Sequence, residues 1–142
     1  MVSPVPKTNA MLICDYVITE RGTNKKSLIG VFENIGAATF PCTHFAMSVY
    51  IKLTDAQGSF RFRLELIDLQ SDTLIGKSEM PEEVRVPSPL LAHELVFNLR
   101  GVRFMHAGEY EFRIFANDKI FGQKKITVEA MNPQHPSPEA SE

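Results

Sequence analysis

The sequence is short of several residue types that support binding chemistry, since its 142 residues include no tryptophan and only two cysteines. Without tryptophan, flat aromatic platforms for stacking sugars are scarce. The cysteines, Cys14 and Cys42, are too few for a disulfide framework and belong to no Cys-x-x-Cys or cysteine/histidine cluster. We therefore expect two free thiols, and a bridge between them is the open alternative.

Long apolar runs and concentrated positive charge are also missing. No run approaches the length of a membrane span, and the N-terminal residues lack the apolar region of a signal peptide. The net charge is −2 with both signs interspersed, and the only basic pairs are Lys25-Lys26 and Lys124-Lys125, whereas nucleic-acid-binding proteins carry a concentrated basic face. We expect a cytoplasmic location, with unconventional secretion as the alternative, and neither a nucleic acid nor a membrane as partner.

Motifs for covalent or phosphate chemistry are absent from the sequence. The glycines form neither Gly-x-Gly-x-x-Gly nor a Walker loop, no Gly-x-Ser-x-Gly elbow occurs, and none of the four histidines lies in a recognisable motif. Glu82 and Glu83 are the only adjacent carboxylates, but neighbours in a strand point to opposite faces and do not converge on one substrate. We expect no cofactor, and we expect that the chain is not an enzyme.

A small enzyme or ligand-binding protein with a site at the rim of the fold is the alternative. It requires the fold to gather at least three of five scattered polar side chains, which are Asp15, Cys42, His44, Asp68 and His106. A calcium site built from loop aspartates is another form of this alternative, with Asp55, Asp68, Asp72 and Asp118 as its candidates. An isolated aspartate in a turn ordinarily binds the local backbone, so we favour that role and predict no metal site.

The strand pattern is clearest near the C-terminus, in residues 108–116. Tyr110 and Phe112 alternate there with charged residues, which is the period of a half-buried antiparallel strand. Asn117 and Asp118 tolerate positive φ and therefore predict a tight hairpin into the next strand. A Gly-x-Tyr-x-Phe strand followed by a hairpin is typical of the end of an immunoglobulin-like sandwich, and Tyr110 is a candidate corner tyrosine whose hydroxyl binds nearby backbone.

Similar short strands, separated by turn signals, cover the rest of the chain. The predicted strand segments are 10–19, 27–35, 44–53, 60–66, 73–84, 95–99, 108–116 and 119–129. We expect Phe45 to share an inward face with Met47 and Val49, and Pro81 predicts that its segment lies at a sheet edge. The pattern predicts an all-β fold, an immunoglobulin-like antiparallel β-sandwich of eight or nine strands with disordered termini.

The domain boundaries follow changes in composition. We expect a flexible N-terminal arm at 1–9, one sandwich domain at 10–129, and a disordered tail at 130–142. The tail is rich in proline, serine and glutamate, and such a segment buries too little apolar area to offset its ordering entropy.

Two early segments and the late Gly-x-Tyr-x-Phe strand carry a family resemblance. The first segment is Cys14-Asp15-Tyr16, and the second is Ser27-Leu28-Ile29-Gly30-Val31-Phe32, followed by Phe40-Pro41. The combination resembles an uncharacterised bacterial family of short cytoplasmic immunoglobulin-like β-sandwich proteins, a domain of unknown function. The resemblance implies a bacterial source and this fold, and it brings no known activity or catalytic residue. From the residues alone, 27–32 is a buried strand in which Gly30 permits a bulge or a close backbone approach.

The edges and loops of such sandwiches commonly serve as recognition surfaces. With no catalytic motif in the sequence, we expect a non-enzymatic protein-interaction or assembly module that binds a protein partner or forms a homo-oligomer. Tyr50 and Phe115 are the candidate partner-binding residues, because strand alternation places both aromatic rings on faces turned away from the core.

Overall fold

Strands make up the regular secondary structure of residues 5–131, the part of the chain that the computed structural model describes. The expected arm at residues 1–4 and the expected tail at residues 132–142 lie outside the described residues. Within the described part, no helix long and apolar enough to cross a membrane is present. The strands are β1 (Lys7–Thr19), β2 (Lys26–Val31), β3 (Asn34–Ala37), β4 (Cys42–Thr54), β5 (Gly58–Phe60), β6 (Phe62–Asp68), β7 (Thr73–Glu79), β8 (Val84–Val86), β9 (His93–Phe104), β10 (Gly108–Ala116) and β11 (Lys119–Ala130).

The strands form two main sheets and one small ribbon. The first sheet has the strand order β2-β1-β4-β9, and the second has the order β3-β11-β10-β6-β7. Neighbouring strands in both sheets run antiparallel, except for β3 and β11, which are parallel. In the ribbon, β5 pairs with β8. The predicted all-β, immunoglobulin-like antiparallel sandwich is confirmed.

Residues 5–131 form eleven strands rather than the predicted eight or nine, because three predicted segments divide. Segment 27–35 divides into β2 and β3, which belong to different sheets. Segment 60–66 divides into the end of β5 and most of β6. Segment 73–84 divides around Pro81, so β7 stays at a sheet edge as predicted while β8 pairs with β5. The first strand begins at Lys7, within the segment expected to form the arm.

The core lies between the inner faces of the two main sheets. Alternation along β4, β6 and β10 supplies half of its buried apolar side chains, as the sequence pattern predicts. The largest fully buried side chains are Tyr110, Phe62, Phe104, Phe112, Ile13, Met47, Ile51, Leu53, Leu64, Ile114, Ile126 and Val49. Because these side chains fix the register of the central strands, they also fix where the edge strands and loops lie.

Phe45 is the exception to the predicted inward face of β4. Its side chain is 77% exposed, whereas that of Met47 is 1% exposed. The β4–β9 ladder has no pair at Phe45 and Gly101, and Gly101 has a φ of 64°. A left-handed residue interrupts the regular alternation of faces, so Phe45 points away from the core.

Gly122 on β11 marks a close approach between the two sheets. A Cβ at this position would lie 2.6 Å from Thr8 Oγ1 and 3.0 Å from Ile114 Cγ2. The same Thr8 hydroxyl donates a hydrogen bond to the Phe121 carbonyl oxygen at 2.7 Å. The absence of a side chain at Gly122 therefore lets β1 approach β11.

Replacing Gly122 with alanine is expected to lower the free energy of unfolding by about 1 kcal/mol, because the added methyl overpacks this contact. Urea denaturation measures the loss. The Thr8→Ala change removes the nearest clashing atom, so the double variant should lose less than the sum of the two single variants. Strictly additive losses would contradict the contact.

Candidate functional site

The β1–β2 hairpin folds back over the outer face of the first sheet. β1 pairs with β4 only as far as Cys14, which lies opposite Ser48. If β1 continued straight, Thr19 would lie about 30 Å from Lys52 at the usual rise of a strand. Instead, the hairpin turn and Lys52 line one depression of about 490 Å³, whose walls are Thr23, Asn24, Lys25, Lys26, Tyr50, Lys52, Ala92 and Glu94. The hairpin therefore covers part of the sheet's outer face.

The bend occurs at Asp15 and Gly30, which lie across from each other without forming a ladder pair. Gly30 has a φ of 70°, and the Asp15 carboxylate occupies the space that a Cβ on Gly30 would need. Just before the bend, Cys14 is fully buried and its thiol donates to the Tyr16 carbonyl. Burial, followed by the nearby Asp15 charge, raises the pKa of the Cys14 thiol. Both Cys14 and Cys42 are free thiols.

The side of the hairpin that faces away from the sheet is apolar. Tyr16 lies directly opposite Ile29 in the ladder, and Ile18 follows Tyr16 on the same face. Together with Val31, they form what we call the hairpin surface, with exposed fractions of 53% for Tyr16, 46% for Ile18, 37% for Ile29 and 52% for Val31. Single exposed apolar residues are ordinary, whereas larger exposed apolar patches are typical of interaction sites. The prediction that 27–32 is buried is wrong for Ile29 and Val31, because β2 is an edge strand.

β2 is also an edge strand with few of the features that prevent edge pairing. Its outer side has no strand partner in residues 5–131, and Lys26–Val31 includes one charge and no proline. By contrast, β3 has only four residues, β7 carries Lys77 and Glu79 beside an irregularity, and β9 is interrupted at Gly101. Proteins normally use short strands, charges and bulges to prevent edge pairing. The β2 edge is open to pairing with another chain over the four residues that precede its bend at Gly30.

Tyr50 lies on the covered part of the outer face. It is 7% exposed, and its hydroxyl donates to the Glu94 carboxylate. Burial, followed by the hydrogen bond to Glu94, raises the pKa of Tyr50. Alternation correctly places Tyr50 outside the core cluster, but the expectation that its ring is exposed is wrong, since the hairpin folds over this face. Its role in partner binding stays a prediction.

Phe115 is half-buried and is already covered by a cation. The Arg63 guanidinium lies 4.4 Å from the centroid of the Phe115 ring, within the range of a cation–π contact. Arg63 is itself held by Glu65 at 2.9 Å and Asp118 at 2.6 Å. Phe115 is thus part of an intramolecular stack, and its role in partner binding also stays a prediction.

The structure brings Asp68 and His106 together at one end of the sandwich. His106 Nε2 lies 2.5 Å from Asp68 Oδ2, and Nδ1 lies 2.7 Å from the Ala107 carbonyl oxygen. Asp68 also accepts a hydrogen bond from the Gln70 backbone N–H at 3.0 Å. Since a carbonyl and a carboxylate only accept, both ring nitrogens must donate for both bonds to form, which requires the imidazolium.

The electrostatics of this pair follow from its hydrogen bonds. The bond to the Ala107 carbonyl, and then the bond to Asp68, raise the pKa of His106. Burial alone raises the pKa of Asp68, but the bonds from His106 and the Gln70 N–H outweigh it and hold that pKa below its usual value. Both His106 nitrogens are occupied, so this pair is a structural clamp between two turns and has no free base to offer a nucleophile.

The other members of the proposed rim site lie elsewhere. Asp15 and His44 line a depression between β2 and β3, where the His44 ring lies 5.6 Å from the Phe32 ring. Cys42 packs against the core, and Glu83 forms an exposed ion pair with Arg61. Across residues 5–131, no group of three or more histidine, cysteine or acidic side chains is placed to hold a metal ion. The structure thus pairs Asp68 with His106 and places Asp15 and His44 around one depression.

A match over residues 9–129 decides the family. The chain belongs to the family of unknown function DUF6941. No curated protein matches it.

Among solved structures, the alkylpurine DNA glycosylase AlkC of Pseudomonas fluorescens, bound to DNA with an abasic site analogue, is 6% identical with a TM-score of 0.55. That match covers 90% of this chain and 31% of AlkC. An immunoglobulin-like protein from Pseudomonas aeruginosa is 14% identical with a TM-score of 0.43, covering 87% and 96% of the two chains. A β-glucosidase from Listeria innocua is 10% identical with a TM-score of 0.47, covering 89% and 16%. The chain spans less than a third of AlkC, and that likeness shows the fold alone.

The hairpin surface of this DUF6941 chain is the feature that sequence reasoning missed. One signal was present, because Leu28, Ile29 and Val31 place apolar side chains on both faces of a short segment. Such a run is typical of a buried strand, but it also fits an edge strand with one face toward the sheet and one face toward a partner. Only the fold separates the two interpretations.

Proposed function

We propose that the chain is a non-enzymatic interaction module that binds a protein through the hairpin surface and the β2 edge. The observation that carries the proposal is the combination of four exposed apolar side chains with an unpaired strand in residues 5–131. Main-chain groups along such an edge supply affinity by strand addition, and the neighbouring side chains supply specificity. Tyr50 is buried and Phe115 is partly covered by Arg63, so neither is part of this surface.

The chemistry of the surface favours a protein over other partners. The net charge of −2 gives little attraction to nucleic acid or to an anionic membrane. We further propose a bacterial source and a cytoplasmic location, supported by the family resemblance and by two free thiols, which are usual in a reducing compartment.

A site at the rim, as a small enzyme or a calcium-binding protein, has weaker support. Among the loop aspartates, Asp118 binds Arg63 and Asp68 binds His106. Asp55 and Asp72 have positive φ values of 59° and 55°, which is the turn conformation that aspartate tolerates. Asp68 and Asp118 are thus already bound to cations, and Asp55 and Asp72 occupy turn positions that favour aspartate.

The proposal is tested by the variant Tyr16→Ser/Ile29→Lys, which places polar groups on the hairpin surface. Tagged protein is expressed in the source organism, and its native mass is measured by size exclusion in fresh extract. Wild type is expected to elute above the 16.0 kDa of the monomer, and the variant is expected to elute as the monomer, because a buried lysine opposes docking.

The matched control is Leu74→Lys, which changes an apolar residue that is 52% exposed on the edge strand of the other sheet. It should elute like wild type. Monomeric wild type in extract, or an equal loss in both variants, would overturn the proposal. Thermal melts of both variants should match wild type within a few degrees, since surface changes rarely alter stability by more than about 0.5 kcal/mol.

A further inference from the structure

We infer that the partner of the β2 edge is a second copy of this chain, paired antiparallel about a two-fold axis. The inference rests on the proposed function and adds the identity of the partner. An isologous contact requires a surface that is complementary to itself. The main chain, the charges and the apolar side chains of the β2 edge are each complementary to those of a second β2 edge.

The main chain of β2 is extended over Lys26–Ile29 and then departs from regular extension at Gly30, where φ is 70°. The pairable edge is therefore Lys26–Ile29. Because opposed residues of an antiparallel ladder share a face, a two-fold axis sets a residue of this segment opposite itself. With Leu28 opposite Leu28 of the second copy, Ser27 lies opposite Ile29 and Lys26 lies opposite Gly30 of the second copy. The two sheets then join into one continuous sheet of eight strands, since each first sheet contributes four.

The charges are separated along this edge. Lys25 and Lys26 stand at its N-terminal end, and Asp15 and Glu33 flank its C-terminal end. Asp15 lies against Gly30, and within residues 5–131 its carboxylate forms no ion pair or hydrogen bond. Glu33 pairs with Lys124 at 2.8 Å, yet the Glu33 side chain stays 64% exposed.

Antiparallel pairing brings the basic end of each copy to the acidic end of the other, twice in one interface. In the register above, Lys26 lies opposite Gly30 of the second copy, beside the Asp15 carboxylate of that copy. Parallel pairing would instead set lysine against lysine and carboxylate against carboxylate, which is unfavourable. The charge pattern thus selects a copy of the same edge in one orientation.

The apolar side chains complete the surface. Ile29 stands near the two-fold axis, and Tyr16, directly across the ladder from it, stands one strand further out. The two-fold axis therefore brings the two hairpin surfaces side by side, and together they form one continuous apolar strip across both copies. Its burial supplies the non-directional part of the affinity, while the charges set the orientation.

The test is a charge exchange, followed by sedimentation of the purified full chain. One variant, Lys25→Glu/Lys26→Glu, is acidic at both ends of the edge, and the other, Asp15→Lys/Glu33→Lys, is basic at both ends. Each alone should dimerise at least about ten-fold more weakly than wild type, because like charges meet twice. An equimolar mixture of the two should restore dimers to near the wild-type level.

A control exchange, Lys77→Glu on the β7 edge, should leave the dimer unchanged. Wild-type dimers should also weaken as salt rises, since exposed charges are screened. Charge exchange that leaves dimerisation intact, or a mixture that fails to rescue it, would overturn the antiparallel β2 contact.

Two measurements, on purified protein and on fresh extract, distinguish a second copy from a different protein partner. Purified wild type that stays monomeric at millimolar concentration, while the extract shows a larger species that depends on the hairpin surface, overturns the second copy and leaves a different protein as partner. Monomers in both measurements overturn both proposals.

Discussion

Tyr110→Ala is expected to lower the free energy of unfolding by about 3–5 kcal/mol, the range for truncating a large buried aromatic side chain. Tyr110 is fully buried. Its ring packs edge-on against Phe104 with centroids 4.9 Å apart, and it stacks on His106 at 5.6 Å. The cavity would open where β9 turns into β10, at the end of the core. Urea denaturation at neutral pH measures the loss.

Tyr110→Phe separates the ring from its hydroxyl. The hydroxyl donates to the His106 carbonyl oxygen at 2.7 Å, which is the tyrosine corner that the sequence predicts. Its removal should cost only about 1–2 kcal/mol, the usual range for one partly buried hydrogen bond. Phe45→Ala is the control, since Phe45 is an aromatic residue that is 77% exposed; it should change stability by less than about 0.5 kcal/mol. Equal losses for Tyr110→Phe and Tyr110→Ala would show that ring packing is not the main contribution.

The parts of the fold that the sequence predicts are those set by short-range rules. Gly108–Ala116 is a strand with the predicted bounds, because period-two alternation is a local signal. Asn117 and Asp118 have φ values of 48° and 67°, as the predicted tight hairpin requires. In these places neighbouring residues alone decide the conformation, so pattern and structure agree.

The parts that the sequence does not predict depend on contacts between distant segments. The parallel pairing of β3 with β11 joins Ile35 to Val128, and no local pattern encodes it. The outward turn of Phe45 depends on Gly101 across the ladder. Burial of Tyr50 depends on the hairpin that folds over it. In each case the deciding partner is remote in sequence, and alternation within one strand carries no information about it.

The same distinction applies to the candidate site residues. Asp68 and His106 were both proposed for a rim site, but the hydrogen bonds that occupy both His106 nitrogens appear only once the two turns meet. Asp15 is another of the rim-site candidates. The structure places it at the hairpin bend against Gly30, with its side chain exposed. Residue type identified the ionisable groups, whereas geometry assigned their roles.

Asp68→Asn is expected to lower the free energy of unfolding by about 2 kcal/mol at about pH 5, and by less at higher and lower pH. The Asp68 side chain is 8% exposed and that of His106 is 35% exposed, so solvent weakens the pair only in part. The variant keeps the size of the side chain but removes the charge that accepts from the imidazolium. Denaturation curves of wild type and variant across the pH range measure the difference.

The pH dependence follows from the directions of the two pKa shifts. The pKa of His106 is raised above its usual 6.5, so its contribution is complete below that pH and is lost as pH rises through the folded-state pKa. The pKa of Asp68 is lowered below its usual 3.8, so its contribution is present above that pH and is lost as pH falls through the folded-state pKa. The pair therefore stabilises most between about pH 4 and pH 6.5.

The Asp68→Asn variant should still lose some stability as the pH rises. The hydrogen bond from His106 to the Ala107 carbonyl remains in this variant and is the largest cause of the raised pKa of His106. Subtracting the variant's unfolding free energy from that of wild type at each pH removes the contributions of the other histidines, because they titrate alike in both proteins. Asp72→Asn is the matched control, since Asp72 is exposed in a turn with a φ of 55°, which asparagine also tolerates. A wild-type-minus-variant difference that stays constant from acid to alkaline pH would mean that Asp68 and His106 do not form a charged pair, and that the clamp between the two turns is held by neutral hydrogen bonds.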